Sequence, residues 1–268
     1  MLNETAHRKA EALHELLRSY KKAVIAFSGG VDSTFLLASA QAVLGANIIA
    51  VTADSAFFPS QDRAESLQFC KENQIRQIIF QADILHEREI CQNPPNRCYL
   101  CKRLIFRKIQ EIADAEGITV IAEGSNADDT SDYRPGKQAI AELGIRSPLL
   151  ESGLTKAEIR LLAREMSLPV CDKPASACLA SRIPYHDIIT SEKLRMTDQA
   201  EQYLHTLGFR QLRCRIHGNI ARIEVLPDAL PALLPYRNKI TETLRKIGFQ
   251  YVTVDLTGYR TGSLNEVL

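Results

Sequence analysis

The feature that most constrains this chain is the apolar run Ala23-Val24-Ile25-Ala26-Phe27, which ends in Ser28-Gly29-Gly30-Val31-Asp32-Ser33 and passes at once into a helix-patterned stretch. An apolar run without alternation reads as a strand buried on both faces, which belongs to a parallel sheet covered by helices. Where such a strand turns into a helix, backbone N–H groups and the positive end of the helix dipole meet at one point. An anion belongs there. Gly29 and Gly30 remove side chains that would block a phosphate, Ser28 and Ser33 add hydroxyl donors, and Asp32 can hold Mg²⁺. The loop lacks the Gly-Lys-Ser/Thr ending of a Walker A loop, which argues against transfer of a γ-phosphoryl group.

The rest of the chain extends this pattern. Glu4 to Tyr20 carries Leu13, Leu16 and Leu17 at helical spacing. Apolar runs recur at Ile48 to Thr52, Ile75 to Phe80 and Ile118 to Ala122, separated by helical stretches at Ser60 to Glu72 and Lys102 to Glu116. This alternation predicts an α/β fold with a doubly wound parallel sheet. Thr155-Lys156-Ala157-Glu158 is a capping box, so Thr155 should start a helix that buries Ile159, Leu162 and Ala163 before Pro169. Past Thr190 a different phrase appears twice. Ser191 to Leu207, Gly208-Phe209 and Leu212 to Ile216 are echoed by Leu230 to Ile247, Gly248-Phe249 and Tyr251 to Leu256, with a glycine at each helix end. His217-Gly218-Asn219 can turn Leu212 to Ile216 back onto Ile220 to Leu226 as a hairpin. Two domains are therefore expected, residues 1–186 with the parallel sheet and a smaller α+β domain over 187–268.

At 268 residues, 45% of them apolar and 24% charged, the chain has ample material for a core. Its 33 Lys and Arg balance 32 Asp and Glu, so a net charge of +1 offers no long-range field for nucleic acid and favours a small-molecule partner. No apolar run is long enough to span a bilayer, and Met1 to Lys22 is charged and helix-patterned rather than signal-like, which predicts a cytoplasmic protein without membrane partners. Seven cysteines is an odd count, and a reducing compartment would leave them for packing, metal binding or catalysis.

Cys98-Tyr99-Leu100-Cys101 follows the loop Asn93-Pro94-Pro95-Asn96 and runs into the helical stretch from Lys102. Two thiolates at this spacing can bind one metal or cluster. Cys178 lies among small residues in Ala175-Ser176-Ala177-Cys178-Leu179-Ala180-Ser181-Arg182, a composition suited to a loop that passes close to a ligand. Three cysteines would leave one iron of a [4Fe–4S] cluster open, whereas a fourth, for which Cys171 is the candidate, would close a structural site. Zinc, or burial as small hydrophobes, is the alternative for the three. Cys70, beside Leu67 and Phe69, and Cys214, alternating within a strand, read as packing residues. Arg213 and Arg215 lie two apart on the same strand, so both should point to one face, where paired guanidiniums can clamp a phosphate.

The hexapeptide is similar to the loop of the PP-loop ATP-pyrophosphatases, whose fold is adenine nucleotide alpha hydrolase-like and which split ATP to AMP and pyrophosphate. Further phrases extend the resemblance over nearly the whole chain: Ala26-Phe27-Ser28-Gly29-Gly30-Val31-Asp32-Ser33-Thr34, Asp132-Tyr133-Arg134-Pro135-Gly136, Ala180-Ser181-Arg182-Ile183-Pro184-Tyr185, Ala221-Arg222-Ile223-Glu224 and Gly258-Tyr259-Arg260-Thr261-Gly262. Together they resemble the LarE family, ATP-dependent sacrificial sulfur transferases of nickel-pincer nucleotide assembly for lactate racemase. The resemblance implies a small nucleotide substrate, pyridinium-3,5-biscarboxylic acid mononucleotide, whose carboxylates are adenylated and converted to thiocarboxylates. It implies ATP and Mg²⁺ at Ser28, Gly29, Gly30, Asp32 and Ser33, catalytic roles for Asp32 and Cys178, and substrate contacts from Arg182, Arg213, Arg215 and Arg260. A homo-oligomer, such as a hexamer with trimeric contacts, is also implied.

Members that sacrifice their own cysteine place it one residue earlier, where this chain has Ala177, and lack the Cys98 and Cys101 pair. The chain resembles instead the members that hold a [4Fe–4S] cluster on three cysteines, here Cys98, Cys101 and Cys178, with sulfide or another donor supplying the sulfur. Sacrifice of Cys178 is the lesser alternative. A cluster-dependent tRNA thiolase and a zinc-stabilised ATP-binding scaffold are the rival readings. Near-neutral charge speaks against the first, since phosphate contacts supply most non-specific RNA affinity.

Overall fold

Alternating apolar runs and helices fold as two units in a computed structural model, which describes residues 2–131, 135–174, 177–260 and 262–263. Asp132-Tyr133-Arg134, Ala175-Ser176 and Thr261, quoted above, lie outside the described residues. In chain order the first elements are α1 (Leu2–Tyr20), β1 (Ala23–Ala26), α2 (Val31–Leu44), β2 (Ile48–Asp54), α3 (Ser60–Glu72) and β3 (Gln77–Gln81). Then come α4 (Arg88–Cys91), α5 (Arg97–Ala115), β4 (Ile121–Ala122), α6 (Gly136–Glu142), α7 (Pro148–Glu151) and α8 (Lys156–Glu165). The last are α9 (Ser191–Thr206), β5 (Leu212–His217), β6 (Ile220–Val225), α10 (Leu230–Leu233), α11 (Arg237–Ile247) and β7 (Tyr251–Val254).

The first unit (Met1–Ser55, Gln61–Ala82, Asn96–Ser176) is built on a parallel sheet of order β3-β2-β1-β4, with Ala23 opposite Ile48, Val24 opposite Ile121 and Ala50 opposite Gln77. Alternation along β1 and β2 sends side chains to two cores. Ile25, Phe27, Ile48 and Ala50 pack with Leu13 and Leu17 of α1, Phe35 and Leu36 of α2 and Ile159 and Leu162 of α8. Val24, Ile49 and Val51 pack with Phe106, Ile109 and Ala113 of α5 and Ile140 of α6. The sheet is therefore covered on both faces, as its unbroken apolar strands require, and each large side chain buried this way contributes about 1.5–3 kcal/mol. Strand order reverses between β1 and β4, the place where an open α/β sheet leaves a crevice beyond its carboxyl ends. Thr155 caps α8 as expected, accepting from the Glu158 amide while the Glu158 carboxylate reaches back to the Thr155 amide.

Two boundaries differ from the sequence reading. α5 starts at Arg97 rather than Lys102, because the Asn96 carbonyl accepts the Tyr99 and Leu100 amides and both Arg97 and Leu100 are buried. The cysteine pair thus sits within a helix. The predicted helix Leu230 to Ile247 is interrupted by a tight turn over Leu234–Tyr236, since Pro235 cannot donate to a helical hydrogen bond.

The second unit is Ala56–Ser60, Asp83–Pro95 and Ala177–Leu268, so the chain passes into it after Ser176 rather than at the anticipated 186/187. Hydrogen bonds explain the shift. Leu179 N donates to Phe57 O, His186 N to Asn93 O and Ile189 N to Cys91 O, while the buried Asn93 amide donates to Ile183 O and Pro184 O. Residues 177–189 are thereby stitched to segments far back in the chain. The sheet has the order β5-β6-β7, with β5 and β6 forming the predicted hairpin around Gly218 and Asn219 and β6 and β7 parallel. Buried Leu212, Cys214 and Ile216 of β5 face away from Arg213 and Arg215, and α9 packs on this strand. No helix among the described residues is long and apolar enough to cross a membrane.

Gly258 shows how closely the second unit's last turn is built. Its φ of 74° is left-handed, and an added Cβ would stand 2.7 Å from Val225 O and 3.2 Å from Pro227 N. Gly144 has a similar φ of 65° and nothing within 4 Å. In urea unfolding, Gly144→Ala should cost about 1–2 kcal/mol through backbone strain alone, and Gly258→Ala distinctly more through the added clash.

Candidate active site

At the carboxyl end of β1 the loop turns with Gly29 at a φ of 74°, and an added Cβ would lie 2.8 Å from the Asp62 carbonyl of α3. From the other side Gly124, just past β4, leaves so little room that its Cβ would sit 3.0 Å from Ser33 N. Two glycines therefore let neighbouring backbone close directly around the loop. Within it, Ser33 Oγ lies 3.1 Å from Ser28 Oγ and donates to Gly30 O, which also accepts from Thr34 Oγ1 at 2.8 Å. Among the described residues no side chain caps α2, which leaves the amide donors of its first turn to an anion.

Asp32 opens that turn, with one carboxylate oxygen bonded to Lys156 Nζ and the other, Oδ1, buried without a partner among the described residues. Burial pushes its carboxyl up from the ordinary range, and the Lys156 ammonium opposes that shift. An orphaned buried carboxylate oxygen at an anion site fits a ligand for a hard divalent cation. Lys173 Nζ meets the loop from below, donating to Gly29 O at 3.2 Å and pairing with Asp62 at 2.7 Å and with Glu65. Neither lysine was marked as a site residue in the sequence, although Lys156 stands inside the capping box that places it. Arg160 holds the approach to Lys173, donating to Cys171 O and Lys173 O at 2.6 Å each. Cys171 packs beside the first unit's core, which is what a small hydrophobe does.

Cys98 and Cys101 lie one turn apart on the first turns of α5, partly exposed and on one helix face. The buried Arg97 guanidinium approaches Cys98 Sγ at 3.9 Å. The next residue, Lys102, faces Glu123 at 3.7 Å, and Glu123 in turn accepts from Ser125 N and Ser147 Oγ beside the Gly124 contact with the nucleotide loop. Lys102, which follows the cysteine pair, is thus linked through Glu123 to the segment that closes on the nucleotide loop. Cys178 belongs to the second unit. Among the described residues no three His, Cys, Asp or Glu side chains gather as a metal site. Cys70 and Cys214 are buried as anticipated, and burial alone pushes the Cys70 thiol up to about 12.

In the second unit the arginines converge. Arg213 and Arg215 share one face of β5, opposite Glu224 and Arg222 of β6. Arg215 donates to Glu224 Oε1 at 2.5 Å, to Ser181 O at 2.7 Å and to Ser263 Oγ at 2.8 Å. Arg213 lies over the Tyr259 ring at 5.2 Å, and burial together with the Arg182 charge weakens its hold on its proton, against Glu201 and Tyr259. Arg260, partly exposed, donates to Gly258 O. Arg182 is placed differently from the anion contact foreseen for it. It is 1% exposed, and all three of its nitrogens bond within the protein, to Glu201 and to the turn that carries Cys178. Glu201 and Glu224, both buried, were missed as site residues because only the folded sheet puts them among arginines.

With Arg182, Arg213 and Arg215 against two buried glutamates, the cluster retains positive charge and would draw an anion. Removing Arg215 leaves buried Glu224 with Arg222 Nη2, which donates to the same oxygen at 3.0 Å. Arg215→Met should therefore cost about 1–3 kcal/mol in denaturant unfolding, less than a stranded buried charge would, and the double change with Glu224→Gln should recover part of it.

No protein-family model matches the chain. A pyridinium-3,5-bisthiocarboxylic acid mononucleotide synthase of Lactiplantibacillus plantarum is 34% identical over 265 residues, covering 98% of this chain and 96% of that protein. An uncharacterised protein of Synechocystis sp. is 40% identical over 262 residues, covering 97% of this chain and 98% of its own. One component of the glutamine-hydrolysing GMP synthase of Methanococcus maripaludis is 27% identical over 175 residues, covering 59% of this chain and 55% of that protein. Full-length likeness to the mononucleotide synthase, partial likeness to the GMP synthase and a glycine loop at the switch point of a parallel sheet agree, and the chain belongs to the LarE family of ATP-dependent sulfur transferases within the PP-loop ATP-pyrophosphatases.

Proposed function

We propose that this enzyme adenylates the carboxylates of pyridinium-3,5-biscarboxylic acid mononucleotide and converts them to thiocarboxylates. The observation that carries the substrate reading is the arginine-rich face of β5 in the same unit as Cys178, joined in one chain to an ATP loop. The name of the Lactiplantibacillus plantarum relative supports it. A carboxylate is a poor electrophile until its oxygen becomes part of a leaving group. A substrate carboxylate oxygen attacks the α-phosphorus of ATP, the α–β bond breaks, and pyrophosphate departs. Loop amides, Ser28, Ser33 and Lys156 hold the phosphates, while Asp32 Oδ1 supplies an oxygen ligand to the Mg²⁺ that accompanies ATP. A sulfur nucleophile then attacks the acyl carbon and the acyl–oxygen bond breaks, leaving a thiocarboxylate and AMP. Arg213, Arg215 and Arg260 orient the mononucleotide phosphate throughout.

Cys98, Cys101 and Cys178 are the ligands we assign to a [4Fe–4S] cluster. The pair on one helix face supplies two of the three donors, and a third partly exposed cysteine completes the set in kind. Three protein ligands leave one iron open to exogenous sulfide. Sacrifice of Cys178 itself is the competing source of sulfur. Anaerobically reconstituted protein should hold about four irons per chain with a broad visible absorbance, and Cys98→Ala should lose both. Colourless protein containing zinc would contradict the assignment.

Activation and transfer should separate by mutation. Cys178→Ala should keep substrate-dependent ATP–pyrophosphate exchange yet form no thiocarboxylate, whereas Asp32→Asn should lower the exchange rate by roughly a hundredfold by removing a ligand to the metal and phosphates. Mass spectrometry of Cys178 after turnover separates the two sulfur sources: an intact residue supports the cluster, and loss of hydrogen sulfide supports sacrifice.

A further inference from the structure

We propose that Arg182 is a positioning residue that holds the Cys178 turn and the anion-binding strand in one rigid frame. Its Nη1 donates to Ala177 O at 2.8 Å, to Cys178 O at 3.1 Å and to Ser181 Oγ at 2.9 Å. Nε and Nη2 form a two-pronged pair with Glu201 at 2.9 and 2.7 Å. Glu201 Oε1 also accepts the Cys214 amide at 2.8 Å, and Cys214 is the residue between Arg213 and Arg215. Arg215 closes the circuit by donating to Ser181 O at 2.7 Å.

The circuit runs from the Cys178 turn through Arg182 and Glu201 to β5, and back through Arg215 to Ser181. Every link is a charge-assisted hydrogen bond, and the central ion pair is almost fully withdrawn from water. Such a pair adds little net stability, because desolvation of both charges offsets most of their attraction. What it supplies is a fixed geometry. Four acceptors on Arg182, three of them in the turn and one carboxylate on α9, admit one placement of the turn relative to the strand, while an apolar contact would tolerate sliding. The Cys178 carbonyl also accepts from Ser181 N and Ser181 Oγ, so the backbone of that residue is held from two directions. A sulfur-delivering site that must meet an acyl carbon gains from such fixing of one of its residues, since a misplacement of about 1 Å costs roughly a hundredfold in rate.

The inference rests on the reading of Cys178 as a residue of the sulfur-delivering site, and of Arg213 and Arg215 as the anion clamp. It differs in what Arg182 does: a ligand of the substrate would affect binding, and a strut affects the coupling of the two half-reactions. The readout is thiocarboxylate formed per AMP released, with substrate KM measured alongside, in Arg182→Lys and Glu201→Gln. Both variants should lower the product-to-AMP ratio by roughly tenfold or more, through hydrolysis of the waiting adenylate. A raised KM with an unchanged ratio in Arg182→Lys would overturn the proposal and make Arg182 a ligand. A wild-type ratio in Glu201→Gln would also overturn it. Hydrogen exchange of the same variants tests the frame without reference to sulfur. Peptides covering 177–183 and 212–216 should speed up together in each variant, and acceleration of only one segment refutes the frame even if the wild-type enzyme yields no thiocarboxylate, a result that would sink the functional reading alone.

Discussion

The nucleotide loop depends on a steric constraint, the absence of side chains at Gly29 and Gly124. Gly29 lets α3 close against the loop and Gly124 lets the segment after β4 close against the first turn of α2, so the loop is walled by backbone and presents amide donors. A methyl at Gly29 would stand 2.8 Å from Asp62 O and one at Gly124 3.0 Å from Ser33 N, closer than ordinary contact, so the wall would have to give way. The site can lie there because β1 is central in its sheet and strand order reverses beside it. Packing on both faces makes β1 immobile, and the loop inherits that rigidity. Asp32, Lys156 and Lys173 then decorate a fixed cradle rather than form it.

The second unit solves a different problem, that of burying arginines. Arg182, Arg213 and Arg215 are almost wholly withdrawn from water, a state that is costly unless each guanidinium finds acceptors. Glu201 and Glu224 supply carboxylates, backbone carbonyls of the Cys178 turn supply more, and the Tyr259 ring lies against Arg213. Although burial alone would raise the Glu201 carboxyl, Arg182 beside it holds it below its ordinary range. The residual positive charge is what an anionic substrate can satisfy. Under the proposed function, recognition and architecture use the same residues, and the architecture alone accounts for the burial of Arg182, Arg213, Arg215, Glu201 and Glu224.

The parallel sheet was legible in the sequence because its strands are apolar without interruption, a pattern that only burial on both faces explains. The capping box at Thr155 and the hairpin at Gly218 were legible for local reasons, since each is specified within four residues. The start of α5 was not, because Arg97 is a charged residue that the fold buries and local polarity argues the other way. The boundary between the units was hidden for a related reason. Residues 177–189 are joined to 56–60 and 83–95 by hydrogen bonds over long separations, which no periodicity records. At the site, the glycine loop and the shared face of Arg213 and Arg215 were readable from spacing, whereas the partners Lys156, Lys173 and Glu201 depend on tertiary contact. Arg182 is the instructive case: a family phrase marked it, and the fold turned its charge inward.

The proposed function turns on one chemical idea, that a carboxylate oxygen is first attached to AMP and then exchanged for sulfur. That idea makes a claim about where an oxygen atom goes. If the substrate carboxylates carry heavy oxygen, mass spectrometry of the AMP released in a single turnover should find one heavy oxygen for each sulfur inserted, because the acyl–oxygen bond is the one that breaks. Thiocarboxylate formed alongside unlabelled AMP would contradict activation by adenylation.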